Sequence, residues 1–184
     1  YFLENPNLTE DLRKNELRQL RNILKFYFVN LKSLRRIECF DVAHLAGNSP
    51  TASMVTFIKG EPDKNFYRHF KIRQKEGQND IESLREVIKR RLKYLDKWGK
   101  PDLIIVDGGR GQVKAFTSIL YGSEVVIPVV GIAKNPDRLI TKDKKVRLQG
   151  ATLHFVSRIR DEAHRFARRY HHKLIRRQLL TPKA

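Results

Sequence analysis

Two hydrophobic periodicities divide the chain. Over residues 9–34, Leu17, Leu20, Leu24, Tyr27, Leu31 and Leu34 recur at spacings of three and four, which predicts an amphipathic helix with Thr9 as its cap. Its other face carries Arg18, Arg21, Lys25 and Lys32 and reads as a solvated surface. Short runs then predict strands over residues 37–40, 51–58 and, by looser alternation, 65–73, with turn chemistry at Gly47 to Pro50 and at Gly60, Pro62 and Asp63. These make a three-stranded meander, the third strand antiparallel to the second. Helical spacing returns over residues 79–98 (Ile81, Leu84, Ile88, Leu92, Leu95), with Asn79 and Glu82 as a capping pair. The β-branched run at 103–106, between Pro101 and Gly108-Gly109, predicts a central strand covered on both faces. A helix over 112–120, a strand over 125–133, a basic hairpin over 138–148 and a last helix from Ala151 or Thr152 complete the chain. This order predicts an α/β fold: a mixed five-stranded sheet, part antiparallel and part parallel, flanked by helices.

Composition sharpens the class. The 184 residues suit a single domain over 1–184, with residues 1–34 packing on it as a helical segment, and no linker divides them. A formal charge of +18, from 38 Lys and Arg against 20 Asp and Glu, calls for a polyanionic partner: nucleic acid first, an acidic membrane surface second. There is no apolar run of membrane-spanning length and no signal-peptide pattern, so a soluble intracellular protein is expected. Cys39 is the lone cysteine, which excludes an intramolecular disulfide framework and a cysteine-based zinc cluster. Tyr1 in place of Met, and an end just after a basic helix, suggest a piece of a longer protein.

The chemistry-bearing residues sit at the ends of these elements. Asp107 is the first polar residue after the central run, and Gly108, Gly109 and Gly111 allow a sharp turn beyond it. Taken alone, this stretch reads equally as a carboxylate capping the next helix. The spacing of a phosphate-binding loop is absent. Asp41 ends a second strand, with His44 three residues on. Lys134 and Asn135 emerge from the strand at 125–133, on the same sheet edge as Asp107. In the last helix Ile159, Ala163, Phe166, Tyr170 and Leu174 share one face, and a turn of about 100° per residue puts His164 off it, beside Arg160 and His171. A lone His there is also what a solvated helix flank carries. Asp80 reads either as an added acid or as a charge favoured by a helix N-terminus. Arg158, Arg160, Arg165, Arg168, Arg169, Lys173, Arg176 and Arg177 make this helix denser in cations than solubility needs, which points to a phosphate backbone. Two strand-end carboxylates and an imidazole suit one divalent cation, Mg²⁺ or Mn²⁺, the imidazole favouring Mn²⁺.

The strings IECFDVAHLAGNSPTASMVTF, NDIESLREVIKRR, PDLIIVDGGRGQ, VVGIAKN and RIRDEAHRFARRYHHKL together resemble the C-terminal endonuclease domain of the bacterial excision-repair protein UvrC, over residues 36–174. The resemblance implies a ribonuclease-H-like fold and an Asp-Asp-His metal site at Asp41, Asp107 and His164, with Asp80 a further candidate acid. It implies a metal-dependent endonuclease that cuts damaged double-stranded DNA on the 5′ side of a lesion received from UvrB, in a bacterial cytoplasm. Lys134 and Arg160 are expected to steady the scissile phosphate, and Arg110, Arg158, Arg165 and Arg168 to bind DNA. Arg110 stands where a lysine is common and His172 where an arginine is usual. The GIY-YIG nuclease domain, the UvrB-binding segment and the helix-hairpin-helix module of that family lie outside these 184 residues. Two other readings compete: a non-catalytic basic nucleic-acid-binding module, and an endonuclease-V-like or ribonuclease-type enzyme of the same fold.

Overall fold

The computed structural model describes residues 6–43, 51–72, 80–133 and 138–180. After helix α1 (Pro6–Lys25) the chain lays down β1 (Arg36–Ala43), β2 (Thr51–Ile58), the two-residue β3 (Glu61–Pro62) and β4 (Arg68–Lys71). Helices α2 (Asp80–Leu92) and α3 (Leu95–Trp98) follow, then β5 (Leu103–Asp107), α4 (Arg110–Gly122), β6 (Val129–Ala133), β7 (Arg138–Ile140), β8 (Lys145–Arg147) and the long α5 (Gly150–Leu180). All eight strands form one sheet in the order β3-β2-β1-β5-β6-β7-β8, with β4 also paired to β2. β1 runs antiparallel to β2 and parallel to β5, and β5 parallel to β6, so the sheet is mixed as expected.

Strand alternation builds two cores. Ile37 and Cys39 of β1, Val55 and Phe57 of β2, and Leu103 and Ile105 of β5 face one way, onto Leu20 and Leu24 of α1 and Phe155, Ile159 and Ala163 of α5. Phe40, Met54, Ile104 and Val106 face the other way, onto Leu84 and Ile88 of α2 and Val113 and Phe116 of α4. Each of the Val, Leu, Ile, Met and Phe side chains among them, fully buried, contributes about 1.5–3 kcal/mol. The α2 side also encloses a charge cluster. Glu38 is wholly buried, and Arg91 of α2 grips both its oxygens, Nε to Oε2 at 2.8 Å and Nη2 to Oε1 at 2.7 Å, while Arg36 Nε donates to Oε1 at 2.9 Å. Arg91 also donates to the Gly99 carbonyl, so one side chain ties β1, α2 and the loop after α3 together.

Several boundaries differ from the sequence expectation, each for a local reason. α1 ends at Lys25, not at residue 34, because Phe26, Tyr27, Phe28, Val29 and Asn30 are all weak helix formers. Leu31 and Leu34 still reach the core from the following loop, which is why the spacing looked helical. The third strand is shorter than 65–73: Asp63 caps a 3₁₀ turn at Lys64–Phe66 by accepting from the Asn65 N–H, and β4 starts at Arg68. The helix over 79–98 breaks at residues 93–94 into α2 and α3. β6 starts at Val129 because Pro128 lacks the N–H that a ladder requires. The sheet exceeds five strands because the basic hairpin, β7 and β8, pairs onto β6, and β3 adds to β2. Asn79 lies outside the described residues.

Candidate metal centre and its surroundings

The centre follows from strand register. Phe40 of β1 pairs with Val106 of β5 in parallel, so Asp41 and Asp107, the next residues of each strand, emerge side by side on the face toward α5. Asp41 is buried and Asp107 half-buried. The turn after Asp107 is tightly made: Gly109 caps α4, and the Gln112 side chain accepts the Gly109 N–H at 2.9 Å. Gly131 of β6 is required there, since a β-carbon at that position would stand 2.4 Å from the Gly108 carbonyl oxygen. That glycine carries no signal of its own in the sequence.

Helix α5 supplies the third group. Its buried small residues Ala163 and Ala167 bring the helix close to the sheet. His164, half-exposed beside them, places Nδ1 3.1 Å from Oδ2 of Asp41. One ligand atom from each of Asp41, Asp107 and His164 falls within 4.8 Å of the others, and this is the cluster with metal-ligand geometry among the described residues. Two adjacent carboxylates with an imidazole, open to solvent on one side, form an oxygen-rich donor set suited to a hard divalent cation. Cys39, on the same face of β1, stays a thiol: burial first, and then the charges of Asp107 and Asp41, push it well above its usual range. The Arg160 guanidinium acts on that thiol in the opposite sense.

A second row of residues continues from Asp41 toward the sheet edge. Asp41 pairs with Ser53 of β2, and Ser53 with His69 of β4. Ser53 Oγ lies 3.0 Å from His69 Nδ1, and the His69 ring is stacked between Phe166 and Tyr170 of α5, each with a centroid separation of 3.9 Å. Burial first, then the Lys173 charge, lowers the His69 pKa to about 4, so the ring is neutral near pH 7. Next to it the Tyr67 hydroxyl donates to Glu162 Oε1 at 2.8 Å. Arg165 then holds that Glu162 carboxylate below its usual range. These contacts seat α5, and so His164, over the strand ends. Sequence reasoning did not single out Ser53, Tyr67 or His69, although the extended backbone that leads from Tyr67 into β4 puts Tyr67 and His69 on one face.

The remaining expected residues separate into groups. Arg110 is exposed at the start of α4, its Nη2 3.3 Å from the Asp143 carbonyl, and Arg168 is exposed on α5. Arg160 is mostly covered and bonded to Asp161. Arg158 is turned toward α1, where it binds Glu16 Oε2 at 3.0 Å and the Gly60 carbonyl at 3.1 Å, and Arg165 is paired with Glu162 at 2.6 Å. Both therefore have structural partners. Asp80 is the first residue of α2, whose start lies against the start of α4: a β-carbon on Gly111 would meet Ile81 Cδ1 at 3.4 Å. His44, Lys134 and Asn135 lie outside the described residues.

A mixed sheet with strand-end carboxylates side by side and a helix-borne histidine above them defines the class: a ribonuclease-H-like domain with an acidic centre. The family model for the UvrC RNase H endonuclease domain matches residues 27–167, and the chain belongs to that family. It is 43% identical over 159 residues, 80% of the chain, to UvrABC system protein C of Methanosarcina barkeri, and 40% identical over 184 residues, 94% of the chain, to that of Syntrophomonas wolfei. The chain spans about 30% of the length of these relatives, 29% and 30% respectively. Among solved structures, the endonuclease V of Ciona intestinalis in complex with an inosine-containing 23mer DNA is similar over 66% of this chain and 57% of that one, with 14% identity and a TM-score of 0.43. No helix among the described residues is long and apolar enough to cross a membrane.

Proposed function

We propose that this chain is the endonuclease domain of a nucleotide-excision-repair nuclease that hydrolyses one phosphodiester of damaged double-stranded DNA on the 5′ side of a lesion. The observation that carries this reading is the convergence of Asp41, Asp107 and His164 at an open sheet edge. Asp41 and Asp107 would hold one divalent cation, Mn²⁺ or Mg²⁺, with His164 completing the set. When bound, such a cation supplies Lewis-acid polarisation of a phosphoryl oxygen and a lowered pKa for bound water. The chain's own residues do the rest. The Asp41 carboxylate orients the His164 ring through their contact, and the Ser53–His69–Phe166–Tyr170 stack with the Tyr67–Glu162 bond holds α5 in place. Arg160, one turn before His164 on α5, and Arg110, at the turn after Asp107, would bind the scissile and flanking phosphates, and Arg168 would extend the cationic surface along α5. Lys134 belongs to the same reading by its position after β6, and Asp80 by the position of the α2 start beside α4. Transfer of the lesion from UvrB would use parts of the whole protein beyond these residues.

The test is calorimetric Mn²⁺ and Mg²⁺ binding to the wild type and to His164→Ala, with nicking of lesion-bearing duplex, intact duplex and RNA–DNA hybrid followed in parallel. Metal binding and damage-dependent nicking that fall together in the variant support the reading. Binding of DNA with no metal-dependent turnover would instead make the chain a binding module, and preference for the hybrid would make it a ribonuclease.

A further inference from the structure

At the β4 edge of the sheet, on the face that α2 covers, lies a recess of about 330 Å³ whose chemistry the nuclease reading leaves unused. Three cations, Arg68, Arg90 and Lys93, line it together with Phe70, Tyr94 and Trp98, with His69 beside them and, among the described residues, no acidic side chain in the lining. The aromatic and cationic groups are ordered in layers. Tyr94 and Trp98 stack nearly parallel, with centroids 4.2 Å apart and planes at 7°, and the Arg68 guanidinium covers Trp98 at 4.6 Å. Arg68 is held there by the carbonyls of Asn65 and Tyr67, at 2.7 and 2.8 Å. Arg90 is fixed by the Lys71 carbonyl at 2.7 Å and by Glu86 at 3.3 Å. Tyr94, 39% exposed, and the exposed Lys93 complete the group at the break between α2 and α3. A solvated helix corner needs none of this. It does not require an aromatic pair ending on an open ring, or arginines held in fixed orientation beside it.

We propose that this recess receives one unstacked nucleotide of single-stranded DNA, its base laid on the open face of Tyr94 and its phosphate held by Lys93, Arg90 and Arg68. Aromatic rings bind bases of any sequence by stacking, and fixed guanidinium groups bind phosphate. The register Asp41 to Ser53 to His69 puts β4 two strands from Asp41, and the recess lies at that edge strand on the face of Phe70 and α2, opposite to the face that carries the metal centre. The inference rests on the DNA-nuclease reading and adds to it a place, round the β4 edge from the centre, where a nucleotide of a bound strand is held apart from its complement.

The test uses the full 184-residue chain in EDTA with a single-stranded thymidine oligonucleotide carrying iododeoxyuridine. Irradiation should cross-link it to Tyr94 or to Trp98, the chain's single tryptophan, and peptide mapping reads the site. Tyr94→Ala and Lys93→Glu, both at exposed positions, should each weaken oligonucleotide binding about ten-fold with an unchanged circular-dichroism spectrum. Asp107→Asn should leave the cross-link in place. Cross-links confined to other peptides, unchanged affinity in both variants, or no binding at low salt would each overturn the proposal. A cross-link at Tyr94 in a chain that never nicks DNA would sustain the recess and sink the nuclease reading, so the two fail separately.

Discussion

Strand β1 carries two carboxylates three residues apart, and their surroundings are opposite. Glu38 points into the α2 side of the sheet, is wholly buried, and meets two guanidinium groups that satisfy both its oxygens. Asp41 points to the α5 side at the strand end, next to a second carboxylate, with an imidazole that is charged only when protonated. The first cluster is compensated and sealed, so it works as a structural fastener. The second gathers two carboxylates and an imidazole at an open edge, with one ligand atom of each within 4.8 Å of the others. Hard oxygen donors brought together at an accessible edge are what a divalent cation site requires. The difference shows that a strand-end acid is judged by its partners and exposure rather than by its residue type.

The comparison can be broken at several points, and the effects should descend in size. Asp107→Asn should reduce metal-dependent nicking by more than about 100-fold, beyond what losing an outer-shell partner costs. Its melting temperature should stay level or rise, because one of two adjacent like charges is gone; activity near wild type would remove Asp107 from the centre. Glu38→Gln should do the reverse. Stranding Arg91 in the core should cost about 3–5 kcal/mol in a urea titration, with metal affinity per folded molecule retained. A loss under about 1 kcal/mol would mean that the fastener is ornamental.

The half-buried Glu16–Arg158 contact, which joins α1 to α5, stands between these extremes. Glu16→Gln should cost about 1–2 kcal/mol in the same titration. If Arg158 instead serves DNA, the freed arginine should strengthen oligonucleotide binding measurably. The smallest effect belongs to His69, and it should be visible as a pH dependence. Its pKa is about 4 when folded against 6.5 ordinarily, so between those values the unfolded chain takes up a proton that the folded chain refuses. Stability should therefore fall as pH drops from about 6.5 toward about 4 and be flat above, by less than the full shift because the ring is only half covered. His69→Phe should flatten that fall. Parallel wild-type and variant curves would show that His69 does not titrate in this way.

How much of this was readable in advance depends on the distance over which each feature is decided. Strand-borne Asp41 and Asp107 and the off-face His164 were legible because hydrophobic runs and helical periodicity mark strand ends and helix flanks within a few residues. The end of α1 at Lys25 was not, because Leu31 and Leu34 keep helical spacing while entering the core from a loop. The Glu38–Arg91 fastener was hidden as well: nothing near either residue announces a partner 53 positions away. Arg158 looked like its cationic neighbours until α1 brought Glu16 to it across 142 positions.

By itself the sequence determined the class of fold, the strong positive charge and the residue types of the centre, since alternation, period and net charge are local or summed properties. Only the tertiary structure decided which carboxylates share a site, which arginines are already engaged, and that Ser53, His69, Phe166 and Tyr170 seat the histidine helix. Those outcomes depend on strand register and on which helix covers which face, and many distant contacts set both at once.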